Sequence, residues 1–481
     1  MLHAFVPSTF RFLATGGRVA LPLLPLLGAL ACAGPQPAVP QAASPRHVIL
    51  ITAQGLRPDA IGQAGPTGSS LTPHLDALIA GASASGTAIS ASPDTAPALA
   101  SAVTGLSPWQ HQVLHSASPA PARHLYTVAE SFRDRGFATT AVPSGRILRT
   151  NPGYLQGFQQ IVGLQRTAVV RRHLAELSED PSFTWIHFDQ PQPPYFRSQA
   201  DRNPRRRRAL LAEIERYRNP ATVLPTAQRE RLWQGYLRNV SRLDRELGSL
   251  LEALRSSGRW DEAMIVFVSL HGEEFGEHGQ VGHGNNLGRA TLEVPWALKI
   301  PSSMDPGLLH IPLRPGLTRL ISTLVAATGS GPAPALDRSL FEGGDAGALS
   351  ELYLTNGVNH FSLIQGDLQM VRSVTFTRPE RRYYLARRQL LRDPRVGGDP
   401  TSAEAVFRRL EESFERSRPF TAPPAAVETD LLRWPDTDSG PVEDPRAQAR
   451  LSAALERRWS FFLDSERPPA EERRFRRGGP P

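Results

Sequence analysis

Cysteine and lysine are nearly missing from this chain. Cys32 is the only cysteine among 481 residues, so no intramolecular disulfide can form and the small disulfide-stapled class is excluded. Lys299 is the only lysine, so 53 of the 54 basic residues are arginines, and against 46 acidic residues the formal charge is +8. A nucleic-acid partner would require that excess in a stripe or a binding motif; together with 44 prolines it reads instead as a compositional habit. No nucleic-acid role is expected. What is present is apolar material: 40% hydrophobic residues against 21% charged exclude disorder throughout and suffice for a large core in more than one domain or subdomain.

Arg11 and Arg18 form a positive region ahead of the apolar run Val19 to Ala31, which is shorter than the roughly 20 residues of a membrane-spanning helix and ends in small residues. This is the pattern of an export signal. Ala29-Leu30-Ala31-Cys32 resembles a bacterial lipobox, with alanine at 29 where leucine is commoner. The resemblance implies cleavage after residue 31, lipidation of Cys32, and the membrane as a partner reached through that lipid. Residues 1–31 are then a lipoprotein signal peptide and residues 32–46 a Pro/Ala-rich tether. Removing two arginines with the leader leaves 8 − 2 = +6. With Ala33 rather than Asp after the cysteine, the expected place is the cell envelope, at the bacterial outer membrane or in the periplasm.

From His47 strand and helix signals alternate, as in a sheet covered on both faces by helices. Val48 to Thr52 is an unbroken β-branched and aliphatic run, suited to a buried central strand. Strands are predicted again over Phe183 to Phe188, Met264 to Ser269 and Val294 to Ile300. Helices are predicted over Pro73 to Ala80, after Thr95, over Leu237 to Leu254 and over Leu317 to Ala327, each with an apolar stripe. The four arginines ending at Arg208 read as a solvated helix start. Beyond Gly329 the texture changes: short strands near Phe361 to Val371, a helix over Ser402 to Arg416, and a last helix opened by Asp444-Pro445.

Three separated segments carry a resemblance, in one order. Ile49-Leu50-Ile51-Thr52-Ala53-Gln54-Gly55-Leu56-Arg57-Pro58-Asp59 resembles the first-strand signature of sulfatases, members of the alkaline phosphatase superfamily. Thr95-Ala96-Pro97-Ala98-Leu99-Ala100-Ser101, followed by Thr104-Gly105, is similar to their nucleophile segment. Leu270-His271-Gly272-Glu273-Glu274-Phe275-Gly276-Glu277-His278-Gly279, with His283 behind it, resembles their Asp-His-Gly-Glu segment. The resemblance implies an alkaline-phosphatase-like α/β/α sandwich with a mostly parallel central sheet. It covers residues 47–340; residues 341–481 are expected to form a smaller C-terminal α+β subdomain with helices and a basic tail.

What the resemblance implies for chemistry is mostly loss. Sulfatases use a divalent cation such as calcium, held mainly by carboxylates, because hard cations want anionic oxygen ligands. The two metal aspartates match Gln54 and Leu270 here. The formylglycine precursor matches Thr95, which cannot undergo that oxidation, and the arginine that steadies it matches Leu99. Gln192 stands near the usual histidine, and Lys299 matches a structural segment.

What remains of the set is Thr95, His271, His278 and His283; these would bind a hard cation very weakly and suit Zn²⁺ only if the histidines converge at tetrahedral spacing, so no metal and no cofactor is expected. Asp94 reads as the N-cap of the helix after it, and Glu273, Glu274 and Glu277 read as a surface helix start. The resulting expectation is a sulfatase-like envelope lipoprotein, catalytically degenerate, with a binding or structural role. Thr95, His271 and His283 would be vestigial catalytic positions, and Gln54 and Gln192 binding positions for an anionic ligand or glycan. The alternative is an active sulfuric or phosphoric ester hydrolase with Thr95 as nucleophile.

Overall fold

The structure, a computed structural model, describes residues 44–464 apart from 66, 164–166, 197–202, 219–221, 330–336, 338, 345–346, 355–357, 376–425 and 435–440. Cys32, the leader and tether before residue 44, the helix expected over 402–416 and the basic tail lie outside the described residues.

Among the described residues nine strands precede residue 300: β1 (His47–Gln54), β2 (Ala84–Ile89), β3 (Ala138–Val142), β4 (Gln160–Ile161), β5 (Ser182–Pro191), β6 (Ala263–Ser269), β7 (Glu274–Phe275), β8 (Val281–Gly282) and β9 (Glu293–Lys299). Seven of them make one sheet in the order β2-β9-β6-β1-β5-β3-β4, in which β9 alone runs against the rest. The expected runs at 48–52 and 264–269 are adjacent parallel strands, Val48 opposite Met264 and Ala53 opposite Ser269. On its other side β1 pairs with β5, and a register shift after Ala53 sets Gln54 against Pro191.

All eight residues of β1 are buried because both faces of the sheet are covered. Successive side chains point to opposite faces. Val48 and Leu50 face one layer with Leu99 and Val103 of α1 (Thr95–Thr104) and with Leu317 and Leu320 of α2 (Leu317–Ala326). Ile49, Ile51 and Ala53 face the other layer, packed against Val240, Leu243 and Leu247 of α3 (Thr226–Ser256). That helix begins 11 residues before the expected Leu237, since Leu232 and Tyr236 continue its buried face. Charged residues crowd the outer face of this first half and blur the stripe in the sequence.

The second sheet is antiparallel: β10 (Ala348–Tyr353), β11 (Val358–Gln365), β12 (Leu368–Thr375) and β13 (Ala426–Arg433), in that order. Its core joins Phe361, Leu363 and Met370 to Leu451 and Leu455 of α4 (Pro445–Asp464). Asp444 caps that helix as the sequence predicts, its Oδ1 accepting from the Ala447 N–H at 2.9 Å. Ser350 of β10 donates its hydroxyl to the Ser90 carbonyl just after β2, at 2.5 Å.

Candidate functional site

The site lies where parallel strands end, the usual place for ligands in open α/β sheets. β1 ends at Gln54, β5 hands on to Gln192, β6 hands on through Leu270 to His271, and α1 starts at Thr95. Gly55 holds these ends close. Its φ is +79°, and a Cβ there would stand 3.1 Å from Glu273 Oε2 and 3.2 Å from Gln192 Cγ. The Tyr236 hydroxyl of α3 donates to the Gly55 carbonyl at 2.8 Å and accepts from the Arg57 N–H at 2.9 Å. Asn239, one turn on, donates to the Pro194 carbonyl at 3.0 Å and so supports the segment that carries Gln192.

Four of the residues singled out in the sequence meet here. Thr95 Oγ1 is 3.2 Å from His271 Nε2 and 3.1 Å from His283 Nε2, and the Gln192 amide donates to Thr95 Oγ1 at 2.7 Å. Gln192 Nε2 is also 2.8 Å from His271 Nε2, and the two imidazole rings are 4.3 Å apart between centroids. Gln54 is buried with its Nε2 unpartnered among the described residues. His278 is not part of the cluster; it pairs with Glu274.

The acidic residues overturn an expectation. Glu273 and Glu274 are fully buried rather than at a surface helix start, because Gly272, Gly276 and Gly279 favour turns and the short β7–β8 hairpin over a helix. Glu273 Oε1 lies 3.0 Å from His283 Nδ1, and Glu274 accepts from Asn286 at 2.7 Å. Asp94 occupies the N-cap position but makes no side-chain cap bond; its carboxylate accepts from the Ser116 N–H at 2.7 Å and from the Ser116 hydroxyl.

One proton assignment satisfies these contacts apart from the 3.2 Å approach of Thr95 Oγ1 to His271 Nε2, which then carries no hydrogen. His271 Nδ1–H donates to the Gly272 carbonyl at 2.8 Å, so its Nε2 is an acceptor and takes one Gln192 hydrogen while Thr95 Oγ1 takes the other. His283 Nδ1–H donates to Glu273, which leaves His283 Nε2 as the acceptor for the Thr95 hydroxyl. Burial, and then the neighbouring His283, hold the His271 pKa well below its ordinary value. Burial, and then the Glu273 charge, hold the Tyr195 phenol well above its own.

The divalent cation implied by the family does not fit this donor set. The groups meeting at Thr95 are a carboxamide, a hydroxyl and two imidazoles. At the positions that resemble the family's aspartates stand Gln54, whose unpartnered atom is an amide donor, and Leu270, which is fully buried in the apolar core. Hard cations want several oxygen ligands with anionic ones among them. Glu273 meets the cluster through His283, which takes its Oε1 at 3.0 Å, and its buried Oε2 is unpartnered among the described residues, so one carboxylate oxygen at most is left for a cation. Leu99, where the family has arginine, is likewise core. Lys299 donates to the Ala263 carbonyl at 2.9 Å, at the start of β6 and so at the far end of that strand from His271.

Sequence reasoning finds Thr95, His271, His283 and Gln192 but misses Glu273 as the partner of His283. The available signal is an acid among glycines, next to the histidine motif, where no helix can form.

Comparison with known proteins agrees with this architecture. Residues 46–296, just over half of the chain, match the family described as Sulfatase. Iduronate 2-sulfatase of Mus musculus is 33% identical over 87 residues, a stretch covering 18% of this chain and only 16% of that protein. A protein solved in complex with its substrate D-glucosamine-2-N,6-O-disulfate superposes with a TM-score of 0.60 at 13% identity, over 88% of this chain and 99% of that one. The phosphonate monoester hydrolase of Silicibacter pomeroyi does so with a TM-score of 0.56 at 16% identity, over 86% and 94%. The chain belongs to the sulfatase family.

Proposed function

We propose that this sulfatase-family chain does not carry out metal-assisted cleavage of sulfate or phosphate esters, and that its sheet-edge site is a metal-free binding pocket on a lipid-anchored protein of the cell envelope. The observation that carries this reading is the donor set: an amide and an apolar side chain at the positions that resemble the two aspartates, with Glu273 reaching the cluster only through the bond of its Oε1 to His283. The groups that meet at Thr95 are uncharged donors and acceptors, while Arg57 is engaged by Asp59 and Glu277. Such a lining suits the hydroxyls of a glycan better than a sulfate or phosphate group, whose recognition favours arginine or lysine.

The test is metal content together with turnover of p-nitrophenyl sulfate and p-nitrophenyl phosphate. A metal ion supplies several kcal/mol of transition-state stabilisation, and each 1.36 kcal/mol is about tenfold in rate. Purified protein should therefore hold no stoichiometric calcium, magnesium or zinc and should leave both esters intact. A tightly held ion with chelator-sensitive turnover would overturn the reading. The second reading, hydrolysis of these esters by Thr95, is favoured by its 3.1 Å contact with His283; metal-independent turnover lost in Thr95→Ala would select it.

A further inference from the structure

The buried carboxylate behind His283 gives the pocket a directionality that the loss of metal ligands does not explain. Glu273 Oε1, His283 Nδ1, His283 Nε2 and Thr95 Oγ1 form one chain with links of 3.0 and 3.1 Å. Glu273 is fully buried, and His283 and Thr95, the latter at the start of α1, are both half-buried. Hydroxyl, imidazole and carboxylate in this order are the parts of a nucleophile activated by a base, the base being oriented by a third group.

The competing base is silenced. His271 Nε2 is 3.2 Å from the same hydroxyl, but its lone pair takes the Gln192 amide at 2.8 Å. Gln192 also donates to Thr95 Oγ1 at 2.7 Å, which fills a lone pair of that oxygen and turns the hydroxyl proton toward His283.

We infer that Thr95 is a metal-independent acyl acceptor, with His283 as its general base and Glu273 as the positioning residue, and that the matching substrates are uncharged carboxylic esters such as acyl groups on a glycan or lipid. This rests on the metal-free reading above. An uncharged ester develops one oxyanion, whereas sulfate and phosphate esters arrive already charged and have no cation to meet. Thr95 stands in the first turn of α1, where Asp94 makes no side-chain cap bond. The Ala96 N–H, which makes no cap bond to the Asp94 side chain, is assigned as the donor to that oxyanion.

The step balances without a co-reactant other than water. Thr95 Oγ1 attacks the carbonyl carbon as its proton passes to His283 Nε2. Collapse of the tetrahedral intermediate breaks the ester C–O bond, and the departing alkoxide takes the proton from His283. Water, deprotonated by His283, then attacks the acyl-threonine and releases the carboxylic acid, and the proton returns to Thr95.

The experiment mixes the purified protein with p-nitrophenyl acetate or butyrate, with and without EDTA, and maps the quenched protein by mass spectrometry. A burst of p-nitrophenolate, with one acyl group on Thr95 and no effect of EDTA, is expected. Thr95→Ala should abolish both, and Thr95→Ser, which keeps the hydroxyl, should still acylate. Glu273→Gln should slow acylation by up to roughly 10⁴-fold, the effect of neutralising the carboxylate of such a relay, and should also change the pH profile of the rate, which a merely structural role would leave in place. If neither ester acylates Thr95 in metal-free protein, or if the burst survives Thr95→Ala, the inference falls and the metal-free pocket stands. Chelator-sensitive turnover of p-nitrophenyl sulfate would instead overturn the pocket reading on which it rests.

Discussion

Buried imidazoles make this fold sensitive to mild acid. Burial holds His111 and His187 at about 3, and burial followed by His283 holds His271 well below its ordinary value. In the unfolded chain each titrates near 6.5. Below that pH the unfolded chain takes up protons that the folded chain refuses, so stability falls as pH drops. The slope is up to about 1.4 kcal/mol per pH unit for each such histidine; above pH 6.5 these groups add no slope. The urea midpoint should therefore be clearly lower near pH 5 than near pH 7, and an equal or higher midpoint at the lower pH would contradict the argument. At this scale the sequence was only partly legible. Thr95 and His271 stand in recognisable segments, and His283 follows closely behind, so chemistry could be assigned to them by position. Glu273 could not, because a charged residue next to Glu274 and Glu277 looks solvated until the hairpin around Gly276 and Gly279 is known to fold those acids inward.

Elements were most legible where both faces are buried. The uniform run of β1 announces itself, and its pairing with β6 follows from the order of motifs. β13 is different: 50 residues separate it from β12, which ends at Thr375 and resumes pairing at Ala426, and no local pattern names so distant a partner. α3 shows how an element serves the site. Gly235 lies on its buried face, and a Cβ there would meet the Tyr195 carbonyl oxygen at 2.7 Å, three residues beyond Gln192. Two effects oppose each other in Gly235→Ala. Helix propensity favours alanine by about 1 kcal/mol, whereas forcing a methyl group into packed backbone costs about 1 to 3 kcal/mol. The neighbour is backbone, which yields poorly, so the clash should win. The variant should have a lower urea midpoint than the parent; a higher midpoint would mean that the Tyr195 segment moves freely and that α3 does not brace Gln192.

For the whole molecule the proposal of an envelope protein requires an attachment to a membrane. Among the described residues no helix is long and apolar enough to cross one. Two attachments remain within the proposal, and they differ in physics. Arginine-rich surface could adhere to anionic headgroups, but surface charge is screened with a Debye length of about 10 Å at 0.1 M salt and about 3 Å at 1 M, so such binding is removed by a salt wash. Lipid on Cys32 would bind through buried methylenes at about 0.8 kcal/mol each, with two chains holding far more firmly than one, and salt would leave it in place. Cells making the full chain should therefore retain it in the membrane fraction after a high-salt wash and release it with detergent. Mass spectrometry of the released protein should find the mature N-terminus at Cys32 carrying a diacylglyceryl group. Cys32→Ser should lose that modification and the salt-resistant attachment together. A wild-type protein released by salt alone, or one whose N-terminal peptide starts elsewhere with an unmodified thiol, would remove the anchor and leave the charge excess as the attachment to be examined.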